Sequence, residues 1–161
     1  MTVILVEGES DRVALEVLAA RLGHPAPHVR SVGGSKGARR ALEALAGERI
    51  VGLVDAAERR DFERVLDRVL VCDPDLEGEF VRALGVAGVE AVIAAAGELE
   101  SFRRLQNQPA QRTRTSEAQL ARFFGGRSGN KARYARLLAE AVPLDRVPEP
   151  IAEVLRAAAA G

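Results

Sequence analysis

The stretch Val3-Ile4-Leu5-Val6-Glu7-Gly8-Glu9-Ser10-Asp11 decides how this chain is read, because it joins four apolar residues to carboxylates at fixed spacing. Four β-prone residues without a polar break read as a strand buried on both faces, as in a parallel sheet. Glycine follows, then Ser10 as the expected N-cap, and then Val13, Leu15, Val17, Leu18 and Leu22 at helical spacing. Glu7 thus falls at the carboxyl end of a strand and Asp11 in the first turn of the next helix. Open α/β sheets bind their ligands along that edge. Two carboxylates gathered there suit a divalent cation that in turn grips a phosphate.

The pattern continues outward. Pro25-Ala26-Pro27 leads to a strand over 28–32, and Gly33-Gly34-Ser35-Lys36-Gly37 opens a helix to about Ala46. That glycine turn either cradles phosphate with its amides or simply needs positive φ. Ile50–Asp55 is the third strand, 61–68 is helical, and Val69–Cys72 is the fourth strand. Alternating β and α elements predict an α/β fold with a parallel four-stranded sheet flanked by helices. From Leu76 onward the spacing predicts helices over 76–84, 86–95, 101–105, 116–124, 131–141 and 147–159. The expected organisation is an α/β half, residues 1–84, with a helical C-terminal half, residues 85–161, packed on it as one domain.

Glu7-Gly8-x-x-Asp11 after a buried strand resembles the Toprim domain, the metal site shared by topoisomerases, bacterial primases and nucleases of the OLD (overcoming lysogenization defect) family. The second acidic motif of that domain, Asp-x-Asp, is matched by Asp55, but Ala57 stands where the second carboxylate would be. Asp73-Pro74-Asp75-Leu76-Glu77 is similar to the additional acidic element of OLD-type Toprim domains, and Ser128-Gly129-Asn130-Lys131 to their late lysine element. The resemblance implies a Toprim-like (Rossmann-like) sheet and a metal-dependent phosphodiester hydrolase acting on DNA or RNA. It further implies two divalent ions, Mg2+ or Mn2+, one held chiefly by Glu7 and Asp55 and the other by Asp11, Asp75 and Glu77. Glu7 and Lys131 would be the catalytic residues. The alternative is a Toprim module that binds metal and nucleic acid, or a partner ATPase, with little turnover.

Each of these residues also has a plain structural reading. Asp11 sits where a helix dipole favours a carboxylate, Asp55 has Arg59 and Arg60 close downstream, Asp75 is a natural N-cap and Asp73 shapes a turn. Glu77 and Glu79 are two residues apart on a helix and point differently; Glu77 is expected to face the metals and Glu79 the solvent. Glu58, one place beyond Ala57, is the alternative candidate for the missing carboxylate, against a plain surface reading.

The chain has 161 residues, 47% hydrophobic and 29% charged, with no formal net charge. That composition fits a globular domain and excludes a protein coated in basic surface. Its charge is unevenly spread: Asp55–Glu100 holds twelve acidic against five basic residues, whereas 101–136 holds nine basic against Glu117 alone. A basic stretch of that kind would meet a polyanion approaching an acidic metal site, so nucleic acid, DNA before RNA, is the expected partner. No Gx4GK[ST] sequence occurs, so ATP dependence would require a separate ATPase partner. The apolar runs are too short for a bilayer, no signal peptide is apparent, and a single cysteine, Cys72, fits a reducing cytoplasm. His24 and His28 have no cysteine partner at zinc spacing. Phe102, Phe123, Phe124 and Tyr134 read as core positions.

Overall fold

A computed structural model describes all residues, 1–161. Four parallel strands, β1 (Thr2–Val6), β2 (His28–Ser31), β3 (Arg49–Asp55) and β4 (Val69–Cys72), lie in the order β2-β1-β3-β4. Val6 pairs with Leu53 and Asp55 with Cys72, so Glu7, Asp55 and the residues after Cys72 emerge at one carboxyl edge. Eight helices surround the sheet: α1 (Glu9–Arg21), α2 (Ser35–Ala44), α3 (Arg59–Glu63), α4 (Leu76–Ala95), α5 (Leu99–Gln106), α6 (Ser116–Gly125), α7 (Asn130–Ala141) and α8 (Glu149–Ala159).

The two sheet faces separate by residue parity, as the two-residue period of a strand requires. Val3, Leu5 and Val54 pack with Ala38 and Ala41 of α2 and with Phe62 and Leu66. Ile4, Val6, Val51, Leu53 and Cys72 join a core of 26 buried residues that extends through α1, α4, α6, α7 and α8. That core runs across position 84, so the C-terminal half is part of the body that covers the sheet. In particular α8 lies against β1, β3 and β4. Arg21, at the end of α1, donates to the carbonyls of Ala139 (2.6 Å) and Val142 (2.7 Å), joining α1 to the end of α7.

Local details depart from the sequence expectation in three places. Helix α1 begins at Glu9 with Gly8 as N-cap, so Ser10 is a buried first-turn residue and not the cap. The cause is Asp11, whose Oδ2 accepts the Gly8 N–H at 3.0 Å, the reverse arm of a capping box. The helix expected over 61–68 is shorter and earlier, preceded by a 3-10 turn over Ala56–Glu58. Val13 is only half-buried; the buried stripe of α1 is Ala14, Leu15, Leu18 and Ala19.

The glycine turn has φ of 72° at Gly33 and 140° at Gly34, and the Gly33 N–H is spent on the Glu7 carbonyl at 2.8 Å. Backbone conformation therefore accounts for both glycines. Phe102, Phe123, Phe124 and Tyr134 form one cluster, with Phe123 at 5.3 Å from Phe102 and 5.5 Å from Tyr134 between ring centres. Cys72 is buried, and burial pushes its thiol well above the usual range, so it is an inert core residue.

Candidate metal centre

The carboxyl edge collects its acidic side chains through turns that are themselves tied together. Asp55, the last residue of β3, accepts the Leu76 N–H at 3.2 Å, so the strand end is fastened to the first turn of α4. Asp75 is the N-cap of α4 and accepts the Gly78 N–H at 2.7 Å. Helix N-termini stabilise negative charge, and here two carboxylates share one. Neither downstream arginine neutralises Asp55: Arg59 pairs instead with Glu63 at 2.7 Å. Asp11 reaches the same place from the first turn of α1.

These groups feel one another. Burial raises the Asp55 carboxyl to about 7, with the charges of Asp11 and Asp75 adding to it and Lys131 opposing. Asp11 is also raised, first by burial and then by Glu7 and Asp75, against its bond from Gly8 and the charge of Lys131. Glu77 is only 4% exposed, and burial pushes it to about 7 despite the ammonium of Lys131 at 3.7 Å. Burial disfavours the Lys131 charge, yet Glu77, Asp55, Asp11 and Asp75 together hold it above the ordinary lysine value. Thus five of the expected residues, Asp11, Asp55, Asp75, Glu77 and Lys131, form one electrostatic unit. Glu7 joins it through Asp11.

One atom in this unit is unaccounted for. Glu77 Oε1 is buried and has no hydrogen-bond partner. A buried ionised oxygen without a donor is costly unless a cation meets it. The donors are all oxygen, the chemistry of a hard cation such as Mg2+ or Mn2+. Asp11, Asp55 and Asp75 each use one carboxylate oxygen on a backbone amide and keep the other. As the side chains stand, no three carboxylates close around a single point. A cation that retains several waters needs only one or two of them, so the residues fit such an ion.

Glu79 differs from its expected solvated state. It is 8% exposed, accepts the Asp73 N–H at 2.9 Å and pairs with Arg82 at 3.0 Å. Arg82 also donates to the Asp73 carbonyl at 2.6 Å, so Glu79 locks the turn that presents Asp75 and Glu77. The turn brings Asp73 back over the helix, a placement no local spacing reveals. Ala57 is exposed in the 3-10 turn, and Glu58 beside it is half-buried, making no ion pair.

The basic stretch divides on folding. Arg103 is held by both carboxylate oxygens of Glu90 (2.9 and 2.7 Å), and Arg133 pairs with Glu98. Arg104, Arg122 and Arg127 have no ion pair and line a groove of about 270 Å³. Lys131, by contrast, turns towards the carboxylates.

Solved structures share this architecture. The C-terminal region of the Burkholderia pseudomallei OLD protein superposes with a TM-score of 0.69 and 21% identity, covering 96% of this chain and 95% of that one. The fold is that of an OLD-type Toprim domain. The mercury-phased C-terminal region of the Xanthomonas campestris pv. campestris OLD protein is also similar, with a TM-score of 0.69, 26% identity, and 96% and 92% of the two chains covered. No protein-family model and no curated protein matches the chain. No helix of the chain is long and apolar enough to cross a membrane.

Proposed function

We propose that this protein is a divalent-metal-dependent phosphodiester hydrolase of the OLD Toprim type, acting in the cytoplasm on nucleic acid, DNA before RNA. The observation that carries this reading is Glu77, buried with a partnerless oxygen among Asp11, Asp55 and Asp75. Glu7 and Asp55 would hold one Mg2+ or Mn2+, and Asp11, Asp75 and Glu77 the second. Ions so placed supply an activated water and stabilise the leaving oxygen of an in-line displacement at phosphorus.

The protein's own part is orientation and charge. The α4 amides fix one oxygen each of Asp55 and Asp75 and leave the other of each without a backbone partner. The Lys131 ammonium, kept charged by its four carboxylate neighbours, stabilises negative charge on the phosphoryl oxygens. Arg104, Arg122 and Arg127 offer cationic contacts to the polymer backbone. ATP dependence, where present, would come from a separate ATPase partner.

A binding module with little turnover is the second reading. Ala57 favours it, because the turn after β3 carries one carboxylate where the family pattern has two. Nicking of supercoiled plasmid in magnesium and then manganese separates the two. The natural protein should nick; Glu7→Ala should not. Lys131→Ala should nick at least tenfold more slowly with unchanged affinity for the plasmid. Plasmid that is bound but never nicked would establish the module.

A further inference from the structure

A cavity of about 650 Å³ lies between α4 and α6 and opens onto the acidic site. Its volume falls within the ~300–1,000 Å³ of small-molecule sites. Asp75, Glu77 and Lys131 line both the cavity and the carboxylate cluster, so one ligand can occupy the two together. Apolar side chains form part of the wall away from the carboxylates. Val81 and Val86 come from α4, and Ala118, Ala121 and Phe124 from α6.

Two features of the sequence create this space. Gly85 interrupts α4 with φ 74° and ψ 159°, a conformation that L side chains rarely adopt, and offsets Val86 from the turn carrying Val81. The facing positions on α6 are alanines, which leave room that larger residues would fill. The charged groups around the cavity, Asp75, Glu77 and Glu117 against Arg82 and Lys131, do not sum to an anion trap. Arg82 is moreover engaged by Glu79. A flat neutral body with an apolar face and a polar edge fits better than a second phosphate. Glu117 is exposed, makes no ion pair, and can accept from the N–H groups of such an edge.

We infer that the cavity receives an unpaired nucleobase of the nucleotide whose phosphate lies at the carboxylates. This rests on the hydrolase reading and narrows it to a substrate class. A base stacked within a duplex cannot enter, so the substrate is single-stranded nucleic acid, a frayed end or a nucleotide turned out of its helix. Val86, Ala118 and Ala121 supply the apolar surface for the face of the base and Glu117 the edge contact.

The test is binding of a labelled short single-stranded oligodeoxynucleotide, the same strand with abasic residues, and its duplex, by fluorescence anisotropy in calcium. The intact strand should bind about tenfold tighter than the abasic strand, equivalent to ~1.4 kcal/mol, and tighter than the duplex. Ala121→Trp fills the cavity from an exposed helix position and should abolish the difference. Equal binding of intact and abasic strands by the natural protein overturns the inference, whether or not the variant folds. So does a folded Ala121→Trp protein that still distinguishes them, the result a peptide or partner helix in this cavity would give. Manganese-dependent cleavage tells the two readings apart. Glu7-dependent cutting at equal rates on intact and abasic strands leaves the hydrolase standing without the base site. Base-dependent binding without any cutting leaves the base site without the hydrolase.

Discussion

Replacing Glu77 by glutamine should stabilise the metal-free protein, increasingly as pH rises from 4.5 to about 7. Glu77 is buried, and burial raises its carboxyl from 4.5 to about 7 in spite of Lys131. In the unfolded chain the group loses its proton near its ordinary value, while in the native state it keeps it until about pH 7. Between those limits the native state binds more protons, so stability falls as pH rises, and the loss is complete above pH 7. Each pH unit in that window is worth ~1.4 kcal/mol, which makes the penalty roughly 3 kcal/mol at pH 8. Glutamine has the shape of the protonated acid and cannot ionise. Thermal melts in EDTA should therefore show Glu77→Gln melting ~5–10 °C above the natural protein at pH 8, a conversion of ~2–4 °C per kcal/mol for a chain of this size. At pH 4 the two should coincide. With manganese present the order should reverse, because the natural carboxylate gains the ion and the amide does not. If Glu77→Gln is instead less stable at pH 8 without metal, the Lys131 pair is a structural salt bridge and the metal-site reasoning fails.

Glu79→Ala should act in the opposite way, destabilising the protein by ~1–3 kcal/mol. It strands the Asp73 N–H and releases Arg82, and chemical denaturation in EDTA measures the loss. Metal affinity should rise steeply between pH 6 and 8, since Asp55 and Glu77, both raised to about 7, must lose protons to bind a cation. Calorimetry in buffers of different ionisation enthalpy should detect proton release at pH 6.5, and a pH-independent affinity would contradict the shared site.

The sheet was legible because its strands are nearly continuous apolar runs, Val3–Val6 and Ile50–Val54, each followed by a carboxylate at the same edge. Asp75 as an N-cap and the interruption of helix at Gly85 followed from residue type alone. What stayed hidden depends on contacts between distant segments. Glu79 reads as exposed until the Asp73 turn folds back over it. The nine-to-one basic stretch reads as a uniform surface until Glu90 and Glu98 claim Arg103 and Arg133. The cavity beside Glu77 belongs to neither α4 nor α6 alone, so no window of sequence contains it.

The position of α8 bears on how the chain is made. The helix over Glu149–Ala159 packs beneath strands whose first member is Thr2–Val6. At ~5–20 residues per second, translation leaves an interval on the order of ten seconds between synthesis of β1 and of the segment that shields it. During that time the sheet face carrying Ile4, Val6, Val51 and Leu53 lacks one of its native covering helices. A frameshift anywhere before residue 149 would leave that face without α8.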